Sequence, residues 1–165
     1  MKTNRGFALF DTAIGFCGIV WSERGVAGVQ LPEKDAAATR ARVLRRFPAA
    51  LEAEPPPDVR RGIEGIAALL DGEPRDLTGV TIDDEGTPEF NARVYAIART
   101  IPPGRTMTYG DIAERLGDRL LAREVGTALG QNPCPIVMPC HRVLAAGGKT
   151  GGFSASGRRP LAVGC

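Results

Sequence analysis

Cys140 and His141 stand side by side in the run Pro139-Cys140-His141-Arg142-Val143, and His141 is the only histidine of the 165 residues. A thiol beside an imidazole is the minimum equipment for sulfur nucleophilic chemistry, because the thiolate attacks and the imidazole can take the proton. At an unperturbed pKa of about 8.5 only a few per cent of a cysteine is ionised at neutral pH, so a base matters. Adjacent side chains often diverge, which points to a bridging water between them. Arg142 adds positive charge or anchors the turn. A Cys-His pair taken alone reads more readily as a buried structural thiol next to a surface imidazole. The prolines and the apolar run Ile136-Val137-Met138 shift that balance. They describe a buried strand delivered into a rigid turn, where reactive groups are often held.

The chain length allows one domain or two small ones. A hydrophobic content of 43% supports a packed core. No apolar run is long enough to span a bilayer and none reads as a signal peptide, so a cytoplasmic protein is expected. Cys17, Cys134, Cys140 and Cys165 form no C-x-x-C pair, so neither a metal site nor a redox dithiol is indicated. Cys134 and Cys140 could approach each other, but a disulfide is not expected in that compartment. The net charge of +2 is uneven. Residues 1–84 hold 11 Lys and Arg against 13 Asp and Glu, whereas residues 85–165 hold 10 against 6. The half with the Cys-His pair thus carries the positive field, which suits a phosphate-rich partner but is weak evidence alone.

The elements that must position this pair follow from pattern. Residues 1–84 are expected to form a small structural α/β domain with no chemistry of its own. Its strands are placed at Phe7–Thr12, Gly18–Trp21, Gly25–Leu31 and Leu77–Ile82, with a hairpin turn at Ser22-Glu23-Arg24-Gly25. Helices are expected over Asp35–Phe47 and, capped by Asp58, over Asp58–Leu70. Residues 85–165 open with a helix capped by Thr87, with Pro88 at its first position, running to about Thr100 and burying Phe90, Val94, Ile97 and Ala98. Thr108 caps a short helix, Tyr109–Leu116, with Asp111 completing a capping box. Ala122–Gly130 forms another, with Val125 and Leu129 inward. Two short helices with a tight connection match a helix-turn-helix, a pattern that also occurs in proteins with no nucleic-acid role.

Asn132-Pro133, Pro135-Ile136-Val137-Met138-Pro139-Cys140-His141-Arg142-Val143 and Gly151-Gly152-Phe153-Ser154 resemble the signature of the O6-alkylguanine-DNA alkyltransferases, the methylated-DNA–protein-cysteine methyltransferases. The resemblance is specific in the second half and only general in the first. It implies an α+β fold, with a small N-terminal sheet-plus-helix domain followed by a winged-helix-like, helix-turn-helix alkyltransferase domain. It also implies a monomer that binds alkylated double-stranded DNA and repairs it in a single turnover, with no cofactor and no metal. Cys140 would take the alkyl group from O6-alkylguanine, with O4-alkylthymine a further possible substrate. His141 would deprotonate Cys140 through water, Asn132 would hold the turn, and Tyr109 would give a proton to the leaving guanine. Arg123, Gly126, Tyr109, Thr108, Phe153 and Ser154 would face DNA. Arg123 would fill the stack where the base is extruded, and Phe153 and Ser154 would close over that base. An independent argument supports such a filler: chemistry on a base atom inside a duplex requires extrusion at a cost of a few kcal/mol, and inserted wedges favour the minor groove. A tyrosine such as Tyr109 is equally a half-buried core aromatic, and a lone arginine at a helix start is more often solvated.

Two departures from the pattern stand out. The family carries a glutamate, on a helix after the Gly-Gly-Phe-Ser loop, that hydrogen-bonds the histidine. Residues 155–165 offer no acid and read as a disordered basic tail. Slower alkyl transfer is the expectation, and a protein that senses alkylated bases without repairing them is the alternative. Glu124 follows Arg123 where relatives carry a small apolar residue, and a carboxylate there should weaken DNA affinity. A thiol hydrolase or acyltransferase built on Cys140 and His141 is a more distant reading.

Overall fold

The computed structural model describes residues 5–102 and 104–145. It divides into two compact units, Met1–Asp83 and Asp84–Cys165. No helix among the described residues is long and apolar enough to cross a membrane.

In the first unit, β1 (Gly6–Thr12), β2 (Gly15–Ser22) and β3 (Gly25–Gln30) form an antiparallel meander. The short β4 (Leu51–Glu52) adds in parallel beside β1, giving the order β3-β2-β1-β4. Residues alternate between faces along a strand, and Phe7, Val20 and Ala27 gather with Val43 and Ala50 in one buried cluster that Phe47 covers. Val43 lies on α1 (Ala36–Arg46), whose first turn is closed by the Asp35 carboxylate accepting from the Ala38 N–H at 2.8 Å. Glycine sets how closely α1 packs: a Cβ on Gly18 would stand 2.6 Å from Val43, and one on Gly28 2.6 Å from Phe47. The second helix of this unit is α2 (Pro57–Leu70).

Three expectations for this unit need correction. The helix α2 starts at Pro57 with Pro56 as its cap, not at a side-chain cap from Asp58, because a proline at the first helical position has no N–H to satisfy. The segment from Leu77 to Ile82 is a turn followed by a single bridge, Val26 to Ile82, not a strand. β4 was not foreseen, since two exposed residues leave no periodicity to read.

In the second unit, α3 (Glu89–Ala98), α4 (Tyr109–Arg115) and α5 (Ala122–Gly130) pack on one another. The cap of α3 is Pro88, with no side-chain hydrogen bond, rather than Thr87. Its buried face is Asn91, Val94 and Ala98, with Phe90 and Ile97 only partly covered. A 3₁₀ turn at Arg119–Leu121 joins α4 to α5. β5 (Met107–Thr108) pairs in parallel with β6 (Val143–Leu144), which ties the start of α4 to the chain leaving Cys140-His141-Arg142.

Candidate active site

The segment that carries the cysteine is built as a rigid buried turn. Cys134 through Cys140 are all buried. The Asn132 side chain accepts from the Cys134 N–H at 2.9 Å, and the Cys134 carbonyl accepts from the Met138 N–H at 2.9 Å. These bonds enclose Ile136, which sits at φ 77°. A buried β-branched residue in the left-handed region costs on the order of 1–3 kcal/mol and persists only where its surroundings over-determine it. This is the correction to the expected strand: Ile136-Val137-Met138 is buried, but as a strained turn. Nothing in the sequence marks that φ, because glycine is absent there.

Cys140, His141 and Arg142 form one turn of 3₁₀ helix after Pro139. The Cys140 N–H donates to the Met138 carbonyl at 2.8 Å, and the Arg142 guanidinium donates to the Ile101 carbonyl at 2.9 Å. Arg142 therefore anchors the turn, one of its two expected roles. The Asn132 amide nitrogen donates to the Met138 carbonyl at 3.2 Å and reaches the Cys140 sulfur at 3.4 Å. An N–H aimed at sulfur favours the charged thiolate over the thiol. Cys17 and Cys134 are in no disulfide, so Cys134 and Cys140 are not joined. Any nucleophilic role belongs to the reduced form of Cys140.

Burial, with a smaller contribution from neighbouring Arg142, lowers the His141 pKa from 6.5 to about 4. The imidazole is thus neutral at pH 7 and able to accept a proton. Its Nδ1 is buried without a hydrogen-bond partner among the described residues.

Tyr109 opens α4 directly after its cap. The Thr108 hydroxyl accepts from the Asp111 N–H at 3.0 Å and the Asp111 carboxylate accepts from the Thr108 N–H at 2.9 Å, the reciprocal box expected from sequence. The Tyr109 ring lies against Gly126 of α5, where a Cβ would be 3.3 Å from the ring carbon Cε2. Thr108, Tyr109 and Gly126 are thereby brought together, and the space that Gly126 leaves is taken by the tyrosine. Arg123 and Glu124 are exposed in the first turn of α5. Arg123 makes no ion pair with Glu124 or any other described residue. Phe153 and Ser154, and the tail 155–165, lie outside the described residues.

Sequence reasoning missed two polar residues behind the site. Asn91 is buried on α3, and the Tyr95 hydroxyl, one turn later, donates to the Ala128 carbonyl at 2.6 Å. Their spacing of four residues, on the face that carries Val94 and Ala98, was the available signal.

A family description, 6-O-methylguanine DNA methyltransferase, DNA binding domain, matches residues 89–162. The methylated-DNA–protein-cysteine methyltransferase of Methanothermobacter thermautotrophicus is 32% identical over 136 residues, which cover 82% of this chain and 70% of that protein. The chain belongs to the methylated-DNA–protein-cysteine methyltransferase family. The Mycolicibacterium paratuberculosis methyltransferase of this family is 44% identical over 91 residues, spanning 55% of this chain and 54% of that protein. The crystal structure of Mycobacterium tuberculosis OGT in complex with DNA superposes with a TM-score of 0.71 at 30% identity, covering 90% of this chain and 83% of that one. The α+β architecture of a methyltransferase of this family, an N-terminal sheet unit followed by a helical unit, is the one described above.

Proposed function

We propose that this methyltransferase reverses O6-alkylguanine damage in double-stranded DNA by moving the alkyl group to its own Cys140, once per molecule. The observation that carries the reading is the Asn132 amide 3.4 Å from the Cys140 sulfur, next to a histidine that burial keeps neutral. In the reduced protein His141 takes the thiol proton through water. The sulfur then forms a bond to the alkyl carbon as the carbon–O6 bond breaks, and the electron pair goes to guanine. The Tyr109 phenol supplies the proton that the guanine anion needs, and the thiol's own proton stays on the His141 side. Because the thioether is stable, no cofactor regenerates the protein. The exposed Arg123 fills the stack vacated by the extruded nucleotide. O4-alkylthymine offers the same electrophilic carbon on an exocyclic oxygen and is a secondary substrate.

Both relatives named above are methylated-DNA–protein-cysteine methyltransferases, which supports repair over sensing without repair. Incubating a duplex that holds one O6-methylguanine with increasing protein tests it. Loss of the lesion should plateau at one per protein, whereas lesion binding with no loss would favour a sensor.

A further inference from the structure

We propose that Asn91 and Tyr95 are positioning residues for the alkyl acceptor, acting through the C-terminal turn of α5; the inference rests on the repair reading and deepens it. The last carbonyls of a helix have no partner inside it and must be satisfied from outside. In α5 the Ala128 carbonyl accepts the Tyr95 hydroxyl of α3 at 2.6 Å beside the N–H of the capping Gln131 at 3.1 Å. The Asn91 amide donates to the side chain of Gln131, the residue that caps α5, at 2.9 Å, and stands 3.5 Å from the Tyr95 oxygen. The next residue in the chain is Asn132, whose amide reaches the Cys140 sulfur. Polar contacts thus run from a buried face of α3 to the end of α5, and a single peptide link continues to Asn132, whose amide reaches the reacting sulfur.

The chemistry of the path fits a fixed support. Burial raises the Tyr95 phenol pKa, a nearby Cys134 adds to that, and the Asn91 hydrogen bond only partly opposes it, so the hydroxyl stays a neutral donor. Asn91 is buried, and a buried amide left without a partner is costly, so its geometry is constrained. Asn132 has little else to set its place upstream: its own N–H donates to the Leu129 carbonyl in the same last turn of α5. Loosening that turn moves the amide relative to the sulfur, and small misplacements of catalytic groups carry large rate penalties. Arg123 lies at the opposite end of α5, so DNA binding should be spared.

The test compares single-turnover alkyl transfer on saturating lesion-containing duplex with affinity for unmodified duplex. Tyr95→Phe, and separately Asn91→Leu, should slow transfer about tenfold while affinity changes by less than about twofold. In an Asn132→Ala background the same substitutions should slow transfer no further, because coupled residues are not additive. A purely structural role predicts an equal loss in both backgrounds. Transfer at the wild-type rate by both single variants, or the same tenfold loss in the Asn132→Ala background, overturns the inference. Failure of the wild-type protein to transfer at all overturns the repair reading instead. Thermal unfolding shows which variants are folded, and Asn91→Gln serves as the second member of the pair should Asn91→Leu not fold.

Discussion

The amide nitrogen of Asn132 lies 3.4 Å from the sulfur of Cys140 and 3.2 Å from the carbonyl of Met138, so one side chain both pins the turn and faces the acceptor. A hydrogen bond to a charged group contributes about 1.5–3 kcal/mol. Asn132→Ala should therefore slow alkyl transfer by roughly 10- to 100-fold and raise the thiol pKa of reduced Cys140. Stopped-flow transfer and thiol titration by ultraviolet absorbance would show both, and an unshifted pKa would remove Asn132 from the chemistry.

His141 sets a pH dependence whose sign follows from its lowered pKa. The folded protein keeps the imidazole neutral down to about pH 4, whereas the unfolded chain protonates it near 6.5. The unfolded state binds more protons in that window, so the His141 contribution is fully present above 6.5 and is lost as pH falls towards 4. It amounts to at most about 3 kcal/mol. Denaturant unfolding of wild type and His141→Gln between pH 4 and 7 should show that dependence in the wild type alone. The transfer rate, if His141 is the base, should hold down to about pH 5 and drop with a midpoint near 4.

Gly126 and Tyr109 should respond as a pair. A Cβ at Gly126 must push the Tyr109 ring by a few tenths of an ångström. Alanine gains up to about 1 kcal/mol of helix propensity over glycine, so Gly126→Ala should fold with little change in Tm and still slow transfer. Tyr109→Phe should slow transfer as well. A Gly126→Ala protein with wild-type kinetics would show that the position of the ring does not matter.

Arg123 is exposed and makes no ion pair among the described residues, so removing it should leave stability within about 0.5 kcal/mol. Arg123→Ala should slow repair of a lesion in duplex DNA, where the base must be extruded, and have little effect on the same lesion in a single strand. Equal losses on both substrates would assign Arg123 to phosphate binding instead.

What could be read from the sequence depended on whether the signal was local. The capping box at Thr108 and the bounds of α5 at Ala122 and Gly130 follow from short-range rules and match the structure. Cys140 and His141 were legible by residue type, and Asn132 by resemblance. Ile136 was not, since a positive φ on a β-branched residue is imposed by the surrounding turn rather than by its own preference. Asn91 and Tyr95 were passed over because an apolar template for α3 favours Phe90 and Ile97, and only the tertiary partner Ala128 makes a polar residue acceptable on that face. The Nδ1 of His141 has no hydrogen-bond partner among the described residues, a tertiary fact that residue type alone does not carry.

The most direct measurement is peptide mass mapping of the reduced protein after reaction with a duplex carrying one O6-methylguanine. The account predicts a single added methyl group, on the peptide that contains Cys140, with Cys17, Cys134 and Cys165 unmodified and the guanine restored. A repaired duplex with the methyl group on another cysteine, or a folded, reduced protein whose Cys140 stays unmodified, would contradict it.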